Sequence, residues 1–219
     1  MIISSYQIHW FIVNISLAGI PVILAYIIRL LVNKDGSIRP LLNIPVFILG
    51  LAWLAFLPNT CYLLTEWRHF LTIIDYGHFA ARVHNNPADV VLLMEITLFY
   101  IIFSGIGVLA FALSIRPIAR IAKLKGMNLW VWGSPFFLLM SIGVYLGLVL
   151  RFNSWDLIQR PEQVWLSVLE LGFRPTVSPL IIAFAAILWL VYLAIDIWVD
   201  GFMLRFRSRS LSSPQSCDR

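Results

Sequence analysis

Five long apolar runs, near 8–33, 41–65, 89–114, 129–150 and 177–199, constrain this 219-residue chain more than any motif in it. Each is close to the roughly 20 residues that an α-helix needs to cross a hydrocarbon core about 30 Å thick. The charged residues that would have to clothe a water-soluble fold amount to 12% of the chain, against about a quarter in ordinary soluble domains. The expectation is an all-α polytopic membrane protein with about five transmembrane helices, residues 1–204 forming one membrane domain. Soluble enzymes, nucleic-acid binders and secreted disulfide scaffolds are excluded on the same ground.

The basic residues predict an orientation. Eleven of the sixteen fall in the first loop (Arg29, Lys34, Arg39), the third loop (Arg116, Arg120, Lys123, Lys125) and the tail (Arg205, Arg207, Arg209, Arg219). Cytoplasmic loops are enriched in Lys and Arg, so the N-terminus is expected outside and the C-terminus in the cytoplasm. The segment 205–219, rich in Ser and Arg and without apolar periodicity, reads as a flexible basic tail. Positive charge on that side is explained by topology and by anionic lipid headgroups, and no nucleic-acid partner is expected. The first apolar run has neither a basic leader nor a small-residue cleavage site, so it reads as a retained span. Cys61 and Cys217 fall at opposite sides of the membrane, which rules out a disulfide between them within one chain.

With that orientation, His9, His69, His78 and His84 gather on the outer side together with Glu66, Asp75, Asp89, Asp156, Glu162 and Glu170. Pro58 removes a backbone donor inside the second span and should break or restart the helix there, with Asn59 as N-cap of the new segment. A helix resumed at that point would place Asn59, Tyr62, Glu66 and His69 on one face. A carboxylate one turn from an imidazole could act as an acid/base pair, a metal half-site or a ligand clamp. The alternative is an ordinary helix end in the headgroup layer, with Tyr62 and Trp67 as belt aromatics. No metal or other cofactor is expected.

A second polar cluster closes the fourth span: Arg151, Asn153, Trp155 and Asp156, with Ser154 between them. Glu95 lies inside the third run and should be paired or face a polar pocket, since an unpaired charge in a bilayer costs about 2.5–3.5 kcal/mol on insertion scales. Arg151 and His69 are its natural partners. Asp196 and Asp200, near the inner end of the last span, are expected to pair with the arginines that follow them. Pro161 to Gly172 reads as a short amphipathic surface helix, near 161–172, with Val164, Trp165, Val168 and Leu169 on one face.

Leu57-Pro58-Asn59 with Tyr62 and Thr65-Glu66, followed by Tyr145-Leu146-Gly147 and Arg151-Phe152-Asn153-Ser154-Trp155-Asp156, resembles the DUF1361 family of bacterial integral membrane proteins. The resemblance covers roughly Leu41 to Ile195. Members more typically carry a second Pro where Cys61 stands, Asp where Glu66 stands and Arg where Leu148 stands. The resemblance implies a multi-pass protein of the bacterial cytoplasmic membrane, and supplies no cofactor and no catalytic assignment.

Three functions are compatible with these residues. One is a membrane-embedded enzyme or binding protein whose outer site engages a lipid or envelope-precursor headgroup, with Arg151 holding an anion and Glu66 or His69 as base. A second is a transporter or channel component with Glu95 in the pathway. The third is an accessory or assembly protein with protein partners in the membrane. No phosphate-binding loop, His-Glu-x-x-His or Gly-x-Ser-x-Gly occurs, so whether any reaction is catalysed stays open.

Overall fold

A computed structural model describes residues 5–33, 35–65, 67–76, 86–152, 156–172 and 175–211. The elements are α1 (Ser5–Leu31), a 3-10 turn (Pro40–Leu42), α2 (Asn43–Phe56), α3 (Pro58–Thr65), α4 (Trp67–Tyr76), α5 (Pro87–Leu124), α6 (Leu129–Leu148), α7 (Asp156–Gln159), α8 (Pro161–Gly172) and α9 (Ser178–Leu211). Five helical stretches among the described residues are long and apolar enough to cross a membrane: Phe11–Leu31, Pro40–Leu63, Pro87–Leu124, Leu129–Leu148 and Ser178–Arg205. Between 11% and 28% of each span's most apolar window is buried inside the chain, so most of that surface faces outward. That is the pattern of helices solvated by lipid.

Two packing groups build the bundle: α1 lies against α2, α3 and α5; α6 packs on α9 and α3; α5 joins both groups. Ile28, Trp53, Leu57, Phe111, Phe137 and Tyr192 belong to the shared core. Hydrophobic contact gives helices little reason to associate inside lipid, so close approach and interhelical hydrogen bonds matter more. Such bonds are found among the described residues. The Trp53 indole donates to the Ser114 carbonyl (3.1 Å), the Ser104 hydroxyl to that of Leu63 (3.3 Å), and the Ser141 hydroxyl to that of Ile181 (2.7 Å).

The helix ends follow local chemistry. Asn86 and Asn128 cap α5 and α6, accepting from the Ala88 and Trp130 amides at 3.1 and 3.0 Å. The turn after α1 is closed by Gly36, whose φ of 82° suits a residue without a Cβ. In the same turn the Asp35 carboxylate accepts from the Ser37 hydroxyl and, with less effect, the Ser37 amide, which holds its carboxyl below the usual range.

Two boundaries differ from those read in the sequence. The segment from Arg116, expected to be loop, is helix through Leu124, and α9 runs on to Leu211, well into the expected tail. The Arg116 Nε donates to Asp196 Oδ1 (2.8 Å), its terminal nitrogen pairs with Asp200, and Arg120 reaches Asp200 at 3.1 Å. The two aspartates, expected to pair with the arginines that follow them, draw partners from α5, and the pairing ties α5 to α9 near the ends of the apolar spans. Residues 212–219 lie outside the described residues.

Candidate functional site

The described residues of both sequence clusters lie where α1 begins, α3 ends, α5 begins and α6 ends, called here the first end of the bundle. The break at Pro58 is present. Leu57 ends α2, its amide still bonded to the Trp53 carbonyl (2.9 Å), and α3 starts at Pro58. A proline break frees carbonyls that the next turn would have occupied. The Thr60 amide bonds the Leu57 carbonyl (3.1 Å), and the Asn59 side-chain amide donates to the Phe56 carbonyl at 3.0 Å. The buried Thr60 hydroxyl adds a bond to the Leu57 carbonyl at 2.7 Å. Asn59 is thus not an N-cap: its amide mends the break behind it.

Glycines govern how α3 is seated. Ideal Cβ atoms at Gly143 and Gly107 would lie 2.9 Å from Pro58 Cγ and 2.6 Å from Leu63 Cβ, and one at Gly147 would coincide with the Tyr62 phenol. Pro58 and Tyr62, four residues apart on α3, therefore occupy the groove left by Gly143 and Gly147, four apart on α6. This is the small-residue helix contact of membrane proteins. Tyr62, expected as a possible belt aromatic, instead packs inward. The two motifs meet directly, and it is their packing residues that meet.

Asn59 and Tyr62 lie on α3 (to Thr65) and His69 on α4 (from Trp67), and the expected stripe runs between them through Glu66. Glu66, Asn153 and Trp155 lie outside the described residues, as does the side chain of His69. α4 docks through aromatic rings: Phe70 is 5.5 Å and Trp67 6.1 Å from Tyr100, and Phe11 of α1 packs 5.0 Å from Phe103. Trp67 is therefore part of a ring cluster joining α4 to α5.

Glu95 corrects a second expectation. Its side chain is exposed on the face of α5 that carries Met94 and Leu98. The shallow groove alongside is lined by Leu93, Met94, Thr97, Leu98 and Ile101, so the surroundings are apolar. No ion pair joins Glu95 to Arg151. The run from Ile96 to Ile115 has no charged residue, and at 1.5 Å per residue it spans about 30 Å, the thickness of the hydrocarbon core. Glu95 and Arg116 thus bracket an uncharged stretch long enough to cross the core, and the exposed Glu95 stands at its end.

Arg151 is exposed, with φ of 59°, the one non-glycine residue in the left-handed region among those described. That reversal lets the Phe152 amide reach back to the Leu146 carbonyl at 3.1 Å and closes α6. Glycine is the usual residue at such a helix end. Asp156 opens α7, buried at 7% exposure, with Arg160 Nε 3.8 Å away. Among the described residues no cluster of His, Cys, Asp and Glu could hold a metal. Cys61 is buried beside the Thr60 hydroxyl.

Sequence reasoning missed Gly107, Gly143 and Gly147 as contact residues. The Gly-x-x-x-Gly spacing of the last two was the available signal.

Apolar spans, lipid-like exposure and glycine-seated helices define a multi-pass α-helical membrane protein. A family model described as "Protein of unknown function (DUF1361)" matches residues 13–191, and the chain belongs to that family. No curated protein and no solved structure matches it.

Proposed function

We propose that the protein binds the anionic headgroup of a membrane lipid or envelope precursor at the first end, with Arg151 as the anion-holding group. The observation that carries this reading is the left-handed backbone of an exposed arginine at a helix terminus. A non-glycine residue there costs about 1–2 kcal/mol. Strain of this kind concentrates at functional sites, and a guanidinium matches a phosphate or carboxylate with paired donors. Arg151 also follows directly on a span, at the level where headgroups lie. Asp156, just beyond it in the chain, and the expected base Glu66 or His69 would complete the site.

The test separates side chain from backbone. Arg151→Gly keeps the left-handed turn and removes the guanidinium, whereas Arg151→Lys keeps a cation. In mild detergent, native mass spectrometry of the purified protein with added phosphatidylglycerol should show bound lipid for the wild type. Binding should be reduced at least tenfold in Arg151→Gly and largely retained in Arg151→Lys. Undiminished binding by Arg151→Gly would remove Arg151 from the reading.

A reading as an assembly protein draws on Glu95, whose exposed carboxylate lies on an outward face of α5 where a neighbouring helix could supply a cation. The transport reading has less to draw on. The Phe56 and Leu57 carbonyls beside the Pro58 break accept from internal donors, and Glu95 points out of the bundle.

A further inference from the structure

We propose that α8 lies in the plane of the bilayer surface, with Trp165, Leu166 and Leu169 inserted among the headgroups and upper acyl chains of the leaflet at the first end. Successive residues of a helix are about 100° apart, and those of α8 fall into three sectors. Val164, Val168 and Leu171 form the sector turned to the protein: Val164 and Leu171 are buried, Val168 half-buried, and the helix contacts α6. Gln163, Ser167 and Glu170 form a polar sector, in which Gln163 and Glu170 are exposed. Between them stand Trp165, Leu166 and Leu169, apolar yet 63%, 59% and 45% exposed, with the exposed Glu162 of the first turn on the same side at the N-terminal end of the helix. The sequence placed Val164, Trp165, Val168 and Leu169 on one face; the structure divides them between two.

A helix lying between protein and water needs one apolar and one polar side. A second apolar side, turned away from the protein, requires a third medium. Continuity identifies it. Val149 and Leu150 at the end of α6, and Leu180 and Ile182 at the start of α9, are exposed apolar residues on spans that face lipid, and α8 is strung between those two ends. Its outward sector extends the same belt. The short turn before α8, with the Arg160 amide on the Asp156 carbonyl (2.8 Å) and the Gln163 amide on that of Arg160 (3.1 Å), sets the direction in which the helix leaves. Tryptophan is the residue enriched at this depth, and in-plane helices bury such a face about 5–10 Å into the headgroup boundary. The placement is independent of whether Arg151 binds a headgroup.

The test uses the full chain in lipid nanodiscs, with Cys61→Ala and Cys217→Ser as background. Nitroxide labels are attached through Gln163→Cys, Trp165→Cys, Leu166→Cys, Leu169→Cys and Glu170→Cys. Collision with oxygen and with a water-soluble nickel chelate is then compared. Positions 165, 166 and 169 should be rich in oxygen, with nickel collisions at least threefold below those at 163 and 170. Equal nickel access at all five positions would overturn the proposal. So would exclusion of both reagents at 165, 166 and 169, which would mark a protein contact. A photoreactive diazirine amino acid at position 169 of the otherwise unaltered chain gives a second reading: crosslinks to phospholipid support it, and crosslinks to protein alone overturn it.

Discussion

The phenol of Tyr62 fills the space in which any side chain at position 147 would begin. This contact joins the broken second span to the fourth, and it couples a residue of the first sequence motif to one of the second. Tyr62 and Gly147 are therefore one packing unit.

Gly147→Ala should lower stability by about 1–3 kcal/mol, the usual cost of forcing extra atoms into a packed site. Tyr62→Ala should also destabilise, by leaving a cavity. Together the two changes should cost less than their sum by about 1 kcal/mol or more, since the second relieves the clash made by the first. Thermal unfolding of the four proteins in one detergent measures this coupling, and strict additivity would contradict the contact.

Gly107 and Gly105, one turn-neighbourhood of α5, should respond in opposite directions. A Cβ at 107 would meet Leu63 Cβ at 2.6 Å and the Thr60 carbonyl at 3.0 Å, while one at 105 meets nothing within 4 Å. Gly107→Ala should destabilise by about 1–3 kcal/mol. Gly105→Ala should be neutral or stabilising by up to about 1 kcal/mol, since alanine loses less backbone freedom in a helix. The midpoint of unfolding distinguishes the two outcomes.

At the opposite end, Arg116 is buried and pairs with Asp196 and Asp200. Its replacement by leucine should cost about 1–3 kcal/mol, less than the loss of a fully buried pair, because the Asp196 and Asp200 side chains are 30% and 55% exposed and Asp200 keeps Arg120. Adding Asp196→Leu and Asp200→Asn should recover much of that loss, as replacing whole buried pairs by apolar groups often does. Unfolding midpoints of the single and triple variants decide it.

Arg151→Gly should raise stability by about 1 kcal/mol, since glycine adopts the left-handed conformation without the cost an arginine bears. A gain in melting temperature together with loss of lipid binding would show strain retained for the sake of the guanidinium. A fall in melting temperature would mean that Arg151 holds the turn through its side chain.

Much of the fold was legible because long uncharged runs permit few structures in a bilayer. The five spans, the break at Pro58 and the helix from Pro161 all follow from run length and from proline. The length of α5 and α9 was not legible, because Arg116 and Arg120 look like loop charges until Asp196 and Asp200 are set beside them. Asn59 looked like a cap because its neighbours in space, the carbonyls of the broken turn, depend on where the helix restarts. Glu95 looked deep because an apolar run does not mark where the bilayer begins; the spacing from Glu95 to Arg116 supplies that scale.

The sequence by itself determined the solvent of this protein, the number of its spans and the two polar clusters, since these depend on local composition and on the cost of charge in lipid. Only the tertiary structure decided what those clusters do. It assigned Pro58, Tyr62, Gly143 and Gly147 to one interlocked contact, turned Glu95 outward and held Arg151 in a left-handed turn. Such assignments depend on which atoms of distant segments come within a few ångströms, and along a single chain that distance is not written.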